Sequence, residues 1–372
     1  MPGDVRKPSL ERAGPARRGA GGRGPLVLAS WLALAGVAFP QQSEPPPPPD
    51  GSTAEADYVA TPGLRLGRTG LTIGAFTTLE LDKETGRPSE VALDSVNALV
   101  LWEPFEFVKA FGELEIGPLL TWHPSRGSVE SEPELRFERL YVDVSGGDTL
   151  NVRLGKFQTP VGIWNLVSAE PFTWTATSPV LVDAAFDEHQ TGGAVFGSFY
   201  PGRSNVEYWI YGQFVNPLDA EEESSDRAVG GRLRIAGARN EWAVGASYLA
   251  SSKNGAWSHL GGVDFSWARG PLEVQGEMAS VRGDIPGRDL WDAYLQAVYG
   301  LGAHARALRG LSLVARYERF SPSGPVPRSH IGNLGLAWIP KRWLNLKLGH
   351  QFVDKASEHV GPGTFASVSV IF

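Results

Sequence analysis

The chain has 372 residues, a formal net charge of −7 and a pI near 5.6, and this acidic balance argues against nucleic-acid binding, which needs a basic face. It contains no cysteine, which excludes disulfide scaffolds and thiolate metal sites. The mean hydropathy of −0.16 argues against a helical membrane protein. A membrane β-barrel is this polar because only alternate residues need to be apolar.

The N-terminal region predicts an export signal and a spacer. Leu26–Phe39 is an apolar run that is too short for a spanning helix, and several arginines precede it. We therefore predict a secretory signal peptide over residues 1–38, exported by the Sec route, with a membrane anchor helix as the alternative. The consecutive prolines Pro45–Pro49 predict a polyproline II spacer within a periplasmic linker over residues 39–66.

The remainder of the chain alternates apolar and polar residues with period two, in segments of roughly ten residues separated by turn residues. The sixteen segments are Leu71–Leu79, Val91–Trp102, Phe107–Ile116, Glu134–Val144, Leu150–Phe157, Gly192–Tyr200, Asn205–Phe214, Ala228–Ala236, Glu241–Ala250, Leu260–Ala268, Leu272–Val281, Leu290–Gly300, Leu311–Phe320, His330–Ile339, Leu344–Phe352 and Thr364–Phe372. This pattern predicts an all-β fold, a transmembrane antiparallel β-barrel of about sixteen strands over residues 67–372. A soluble sandwich or propeller is the alternative.

The connections and the segment ends favour the barrel in the outer membrane of a diderm bacterium. Connections after even-numbered segments are mostly tight, and most of the others are longer polar loops, as expected when the N-terminus is periplasmic. The last segment ends on Phe372, which is typical of the strand that closes a barrel. Trp267, Trp338 and Trp343 lie near short turns and predict an aromatic girdle at the membrane interface.

The fourth segment breaks the alternation. Arg139 and Asp143 share their parity with Leu135, Phe137 and Tyr141, so polar and apolar side chains would fall on one face. A β-bulge inside the segment would restore the phase.

The long connection over residues 158–191 has no alternating pattern and is rich in aromatic and hydroxyl residues. Such a loop is too apolar to extend into water, and long irregular loops in compact folds are usually functional. We expect it to fold into the barrel and to narrow the lumen. The residues that would form this constriction are Trp164, Asn165, Glu170, Trp174, Asp183, Asp187 and Glu188.

The fifth segment and the start of this loop resemble a known family. Gly155, Lys156, Phe157, Pro160 and Gly162 match a G-K-F-x-x-P-x-G pattern. This pattern is similar to that of porins related to the phosphate-selective O and P type, where it leads into the constriction loop. The resemblance implies a trimeric channel for small solutes, but it does not carry phosphate selectivity to this chain.

The side chains expected to face inward are mainly acidic. The basic ones are Lys109, Arg153, Arg232, Arg234, Arg316 and Lys347, and the acidic ones are Glu80, Glu113, Glu115, Glu207, Glu241, Asp264, Glu273, Glu277, Asp292 and Glu318. A lumen lined by carboxylates attracts cations, so we predict a weak cation preference or little selectivity. Arg232 and Arg234 could bind an anionic group or set a transverse field, or they could pair with lumen carboxylates.

Enzymatic activity is not expected. The chain has no H-E-x-x-H or G-x-S-x-G motif, and His189 in the loop, after Asp187 and Glu188, is the one residue considered for a catalytic dyad. We expect no metal and no cofactor. Two functions stay open: a porin for passive diffusion of small solutes or ions, working as a homotrimer in outer-membrane lipid, and a plugged barrel with a structural or surface-binding role.

Overall fold

The computed structural model describes the backbone of residues 56–59 and all atoms of residues 63–215, 225–284, 289–323, 326–357 and 360–372. The proposed signal peptide and the polyproline spacer lie outside these residues. Within them, no helix is both long enough and apolar enough to cross a membrane.

Sixteen antiparallel strands form a closed barrel, which confirms the predicted fold class. They are β3 (Leu71–Glu84), β4 (Glu90–Phe105), β5 (Val108–Gly117), β8 (Glu134–Ser145), β9 (Asn151–Gln158), β10 (His189–Phe199), β11 (Ser204–Gln213), β12 (Arg227–Gly237), β13 (Trp242–Lys253), β14 (Ala256–Arg269), β15 (Leu272–Gly283), β16 (Leu290–Gly300), β17 (Leu311–Pro322), β18 (Ser329–Lys341), β19 (Leu344–Val353) and β20 (Gly363–Ile371). Each corresponds to one predicted segment. The barrel closes where β20 pairs with β3, from Gly363 opposite Glu84 to Ile371 opposite Phe76.

Four shorter strands extend this wall: β1 (Ala56–Val59), β2 (Gly63–Leu66), β6 (Leu120–His123) and β7 (Ser128–Glu130). The linker proposed over residues 39–66 therefore includes two strands. β2 pairs with β3 through Leu64 opposite Ile73, just beyond the end of β20, where Phe372 and Ala75 exchange backbone hydrogen bonds. β6 pairs with β4 beyond the end of β5, and β7 completes a hairpin with β6.

The two faces of the wall differ as the alternation requires. On β17, Leu313 and Tyr317 are about half exposed, at 48% and 53%, whereas Ser312, Arg316 and Glu318 are buried. The same contrast recurs on the other strands, although the inward face of β13–β18 also carries buried apolar side chains such as Leu260, Phe320 and Ile331. Because a barrel hides its inner face, the apolar set faces outward toward lipid and the polar set faces inward.

Aromatic side chains collect where the turns are short. Trp267, Trp338 and Trp343, which the sequence placed in an interfacial girdle, are exposed at this end of the barrel. Trp102 and Trp242 are exposed there too, at the ends of β4 and β13. Indole rings prefer the boundary between lipid and headgroups, so these residues fit one interfacial belt.

The irregularity of the fourth predicted segment is a β-bulge. Glu113 of β5 pairs with Arg139 and the next residue pairs with Phe137, so Glu138 has no partner in the ladder. As a result Phe137 and Leu140 are both exposed, at 41% and 44%, although their parities differ. The bulge restores the phase and turns Arg139 inward.

One connection at the opposite end is shorter than expected. The ninth and tenth predicted segments leave residues 251–259 between them. In the structure β13 and β14 continue through most of these residues to a two-residue turn at Asn254 and Gly255. Both residues have positive φ, 52° and 82°, as a type I′ hairpin turn requires.

Candidate functional site

Residues 159–188 connect β9 to β10 and form the third connection at the end of the barrel that carries the long loops. Hydrogen bonds join the two ends of this loop where it leaves the wall, and we call this junction the neck. The Thr159 amide donates to the Glu188 carbonyl at 2.8 Å. The Asn165 amide group donates to the carbonyls of Thr159 and Glu188 at 2.8 and 3.0 Å, and Gln190 donates to the Thr159 hydroxyl. Asn165 is fully buried, so it holds the two ends of the loop together.

The backbone path into the neck requires the two glycines of the G-K-F-x-x-P-x-G pattern. Gly155 has φ +131°, and a Cβ there would overlap the Leu140 carbonyl of the neighbouring strand. Gly162 has φ +64°, and a Cβ there would overlap the Glu277 carboxylate on the far wall. Larger residues rarely adopt such φ values, and neither position has room for a side chain. The motif therefore directs the loop across the barrel.

The first part of the loop reaches the inward side of β15, β16 and β17. The Trp164 amide donates to Glu277 Oε1 at 2.6 Å, and the same oxygen accepts the Tyr294 hydroxyl proton at 2.5 Å. The Trp164 and Tyr294 rings meet edge to face at 6.3 Å, and the Arg316 guanidinium lies 5.3 Å from the Trp164 centroid. Trp164 is 4% exposed and is fixed against the wall opposite the neck.

Arg316 of β17 is one of two cations that anchor the loop to the wall. Its guanidinium donates to Thr175 Oγ1, to the Thr177 carbonyl and hydroxyl, and to the Ser178 carbonyl, all at 2.7 to 2.9 Å. Asn333 of β18 adds a hydrogen bond to the Thr177 hydroxyl. Through these four donated hydrogen bonds, the loop satisfies most of the N–H groups of this buried guanidinium.

A second anchor holds the loop to β19 and β20. Lys347 Nζ lies 2.7 Å from a Glu170 carboxylate oxygen and donates to Thr173 Oγ1 at 2.6 Å. Ser367 donates to the same Glu170 oxygen, and Asn345 donates to the carbonyl that follows Glu170 in the chain. Glu170, predicted in the constriction, is therefore paired with a lumen cation.

The return half of the loop is apolar. Trp174 donates through Nε1 to Glu273 at 3.3 Å and packs on Val298, Val314 and Ala337. The short helix α1 (Val180–Ala185) buries its leucine, Leu181, among wall residues of β15–β18, and the Leu181 amide donates to Glu318.

The remaining predicted constriction acids bond to loop residues. Asp183 and Glu188 are exposed, and each accepts a hydrogen bond from a serine of the loop, Ser178 and Ser168 respectively. Asp187 accepts from the backbone amide of Ser225, just before β12. Because Arg316 binds the Ser178 carbonyl, Asp183 lies close to that anchor, whereas Asp187 and Glu188 lie where the loop returns to β10.

The inward basic side chains are largely neutralised by neighbouring carboxylates. The pairs are Arg139 with Glu113, Arg153 with Asp143 at 2.7 Å, Arg232 with Asp264 at 2.8 Å, Arg234 with Glu207 at 2.9 Å, Lys109 with Glu103 at 3.2 Å, and Lys347 with Glu170. The geometry of Arg232 and Arg234 thus favours the pairing interpretation over a free anion site. Of the eight proposed lumen charges, seven are buried, including Arg316 and Glu277 beneath the loop, and Lys109 is half-buried.

Four carboxylates that form no ion pair within the described residues collect on one wall, although Arg136 of β8 lies opposite Glu115 across the β5–β8 ladder. Glu80, Asp82, Asp94 and Glu115 of β3, β4 and β5 are half-buried, and no ion pair involves them among the residues that the structure describes. Asp94 is absent from the predicted inward residues, because its inward direction depends on a register shift between β3 and β4. Glu241, which was predicted inward, is exposed in the turn before β13 and accepts a hydrogen bond from the Arg239 amide.

The loop covers the interior unevenly. Inward side chains of β15–β19 are buried beneath it, whereas Leu99, Leu101 and Phe111 on β4 and β5 are only half-buried. Halfway along the same two strands, Asn97 and Glu113 are 2% and 4% exposed. This wall therefore has partly exposed side chains toward both of its ends and a tightly packed layer of side chains between them.

His189, the residue considered for a catalytic dyad, is buried at the start of β10. Its Nε2 lies 3.4 Å from a Glu138 carboxylate oxygen at the bulge. In the part of the chain that the structure describes, no group of three or more His, Asp or Glu side chains is arranged to hold a metal ion.

The fold is similar to those of solved outer-membrane proteins. A loop L8 deletion mutant of OmpT, an outer membrane protein of Vibrio cholerae, matches with a TM-score of 0.56 at 11% identity, over 81% of this chain and 99% of that one. The anion-selective porin from Comamonas acidovorans matches with a TM-score of 0.55 at 14% identity, over 81% and 99%. OmpF of Salmonella typhi in complex with daunomycin matches with a TM-score of 0.56 at 12% identity, over 81% and 97%.

No protein-family model matches the chain, and no curated protein sequence matches it. At these identities the structural likeness establishes the fold: the chain has the architecture of outer-membrane porins.

Proposed function

We propose that the protein is an outer-membrane porin in which small solutes or ions diffuse along one side of the lumen. The path runs between the β3–β5 and β8 wall and the loop segment 166–170, whose residues are half-buried. The observation that carries the proposal is the uneven cover: Arg316 holds the loop to β17 and Lys347 holds it to β19, whereas the half-buried inward residues lie on the near wall. The residues 158–191 would then form the constriction.

The same wall determines the charge that the path presents. Because the inward cations are paired or bonded to the loop, the surplus charge comes from Glu80, Asp82, Asp94 and Glu115. A surplus of carboxylates in a narrow lumen concentrates cations and repels anions. We therefore propose a weak cation preference, in contrast with the anion-selective porin of the same fold.

Neutralising the near wall tests this proposal. The triple variant Glu80→Gln, Asp82→Asn, Glu115→Gln should move the reversal potential in a salt gradient toward that of an unselective pore. The matched control is Arg232→Gln with Asp264→Asn, which removes one charge of each sign from the opposite wall and should leave the reversal potential unchanged. An unchanged potential in the triple variant would exclude this wall as the ion path.

A sealed barrel with a structural or surface-binding role is the second candidate, and one observation favours it. At the middle level Phe76, Asn97 and Glu113 on the near wall are 5%, 2% and 4% exposed. If this level stays closed in the membrane, the folded protein would give no channel openings in a planar bilayer.

Three further properties belong to the proposal. The long-loop end would face outward and the short-turn end the periplasm, after export by a signal peptide over residues 1–38. A homotrimer is proposed because OmpT of Vibrio cholerae, which shares the fold, is recorded in a trimer form. The glycine motif at Gly155 and Gly162 supports a relationship to the phosphate-selective O and P type of porin, although the acidic wall does not suit a phosphate substrate.

A further inference from the structure

We infer that the outward surface of β13–β18, at the long-loop end, binds the phosphate groups of an anionic glycolipid in the outer leaflet. The inference uses the outer-membrane placement and orientation proposed above, but it is independent of transport. The residues that carry it form what we call the cationic band: His259, Arg282, Arg319 and His330, with Trp291 between the two pairs.

The band consists of two cross-strand pairs on the lipid-facing side. His259 lies directly opposite Arg282 across β14 and β15, and Arg319 lies directly opposite His330 across β17 and β18. All four side chains are exposed, Arg282 by 69%. Facing pairs on one sheet surface have their Cβ atoms about 5 Å apart. Each pair therefore presents several N–H donors to one bound anion.

Aromatic side chains fix the orientation of the band. The Arg319 guanidinium lies 5.5 Å from the centroid of the Trp291 ring on β16. The hydroxyl of Tyr317 lies 2.6 Å from His330 Nδ1, and the hydroxyl of Tyr248 lies 2.8 Å from His259 Nδ1. When Nδ1 accepts the tyrosine proton, the imidazole carries its own proton on Nε2, where it can donate to a phosphate oxygen.

Nearby carboxylates offset the band only in part. Asp289 forms a long ion pair with Arg282 at 3.7 Å, and its other oxygen accepts from the Gly283 amide. Asp354 accepts the backbone amide of His330 at 2.7 Å. Among the described residues Arg319 forms no ion pair, and its side chain is exposed on the lipid-facing side.

The band lies at the boundary of an apolar surface that suits acyl chains. Val263, Met278 and Leu295 continue the same outward face toward the membrane centre and are exposed by 51%, 43% and 49%. A shallow groove crosses this face between Gly261, Met278 and Trp291. It exists because Gly261 has no side chain, and a Cβ added there would have no atom within 4 Å. A lipid could therefore place its phosphate on the band and an acyl chain in the groove.

The test measures lipid binding to the folded full-length barrel in detergent by native mass spectrometry. The probes are bisphosphorylated lipid A, the same lipid with its phosphates removed, and inorganic phosphate. The wild type should bind lipid A at least about tenfold more tightly than the dephosphorylated lipid, since charge-assisted hydrogen bonds are the strong ones. Equal binding of both lipids, or equally tight binding of inorganic phosphate, would overturn the inference.

The variants assign the effect to the band. Arg282→Gln with Arg319→Gln should weaken lipid A binding about tenfold or more. The control is Arg269→Gln, which removes an outward arginine of β14 at the short-turn end and should leave binding unchanged. Gly261→Leu, which fills the groove and keeps every charge, should weaken lipid A binding several-fold. Equal losses in the control and the double variant, or no loss in either band variant, would contradict the assignment.

Access is tested separately with a single introduced thiol, since the natural chain has no cysteine. In Arg282→Cys, a water-soluble maleimide should label the folded protein, and added lipid A should protect it. A thiol that is unreactive without lipid because another copy of the chain covers it would overturn the inference.

Discussion

Arg316 links the inner wall to the loop through four hydrogen bonds. Hydrogen bonds to charged groups contribute about 1.5–3 kcal/mol each, so a neutral amide in its place would leave residues 175–178 weakly held. We expect Arg316→Gln to raise the mean single-channel conductance and the current noise. Arg309→Gln, an exposed arginine in the turn before the same strand, is the control and should behave like the wild type. Unaltered conductance in Arg316→Gln would mean that the loop is held without this anchor.

The Arg232–Asp264 pair is structural in this account. Both side chains are buried, so removing one partner leaves an uncompensated charge that costs about 3–5 kcal/mol. Arg232→Met should therefore lower the free energy of unfolding in lipid vesicles far more than Arg232→Met combined with Asp264→Leu. Additive losses in this double-mutant cycle would show that the two charges do not stabilise each other in the folded barrel.

The loop behaves as a single element whose entry angle is fixed at Gly162. Gly162→Ala adds strain from the positive φ and also forces the Glu277 carboxylate away from the Trp164 amide. Gly202→Ala is a closely matched control, since Gly202 has the same φ of +64° but no atom within 4 Å of an added Cβ. We expect Gly162→Ala to change the single-channel conductance and Gly202→Ala to leave it unchanged. If both variants have the same conductance, the contact between residue 162 and Glu277 does not affect the channel, and glycine is needed at this position only because of the positive φ.

At the scale of the whole molecule, the strands were predictable and the path of the loop was not. Each strand separates lipid from a polar interior, and this imposes the period of two that identifies all sixteen in the sequence. The Asn254–Gly255 turn was overlooked although the Asn-Gly dipeptide is a strong hairpin signal. The partners of the loop depend on positions far apart in the chain: Arg316 and Thr177 are separated by 139 residues. Pairing within the lumen likewise depends on strand register, which period alone does not fix.

The same limit applies to the interior charges. Period two predicts the parity of each charged residue, and seven of the eight proposed lumen charges are buried in the structure. It does not say that Arg232 and Arg234 have Asp264 and Glu207 as neighbours, which turns a potential anion site into two neutral pairs. The surplus of carboxylates on β3, β4 and β5 becomes apparent only when these neutral pairs are left out of the count of lumen charges.

The porin proposal requires that water and ions pass the tightly packed layer of side chains at Asn97 and Glu113. Single-channel recording of the refolded wild-type protein in a planar bilayer, with a salt gradient across it, measures this directly. A porin with this lumen should give stepwise openings of small conductance and a reversal potential whose sign indicates cation preference. A correctly folded barrel that gives no openings would contradict the porin proposal and would favour the sealed barrel.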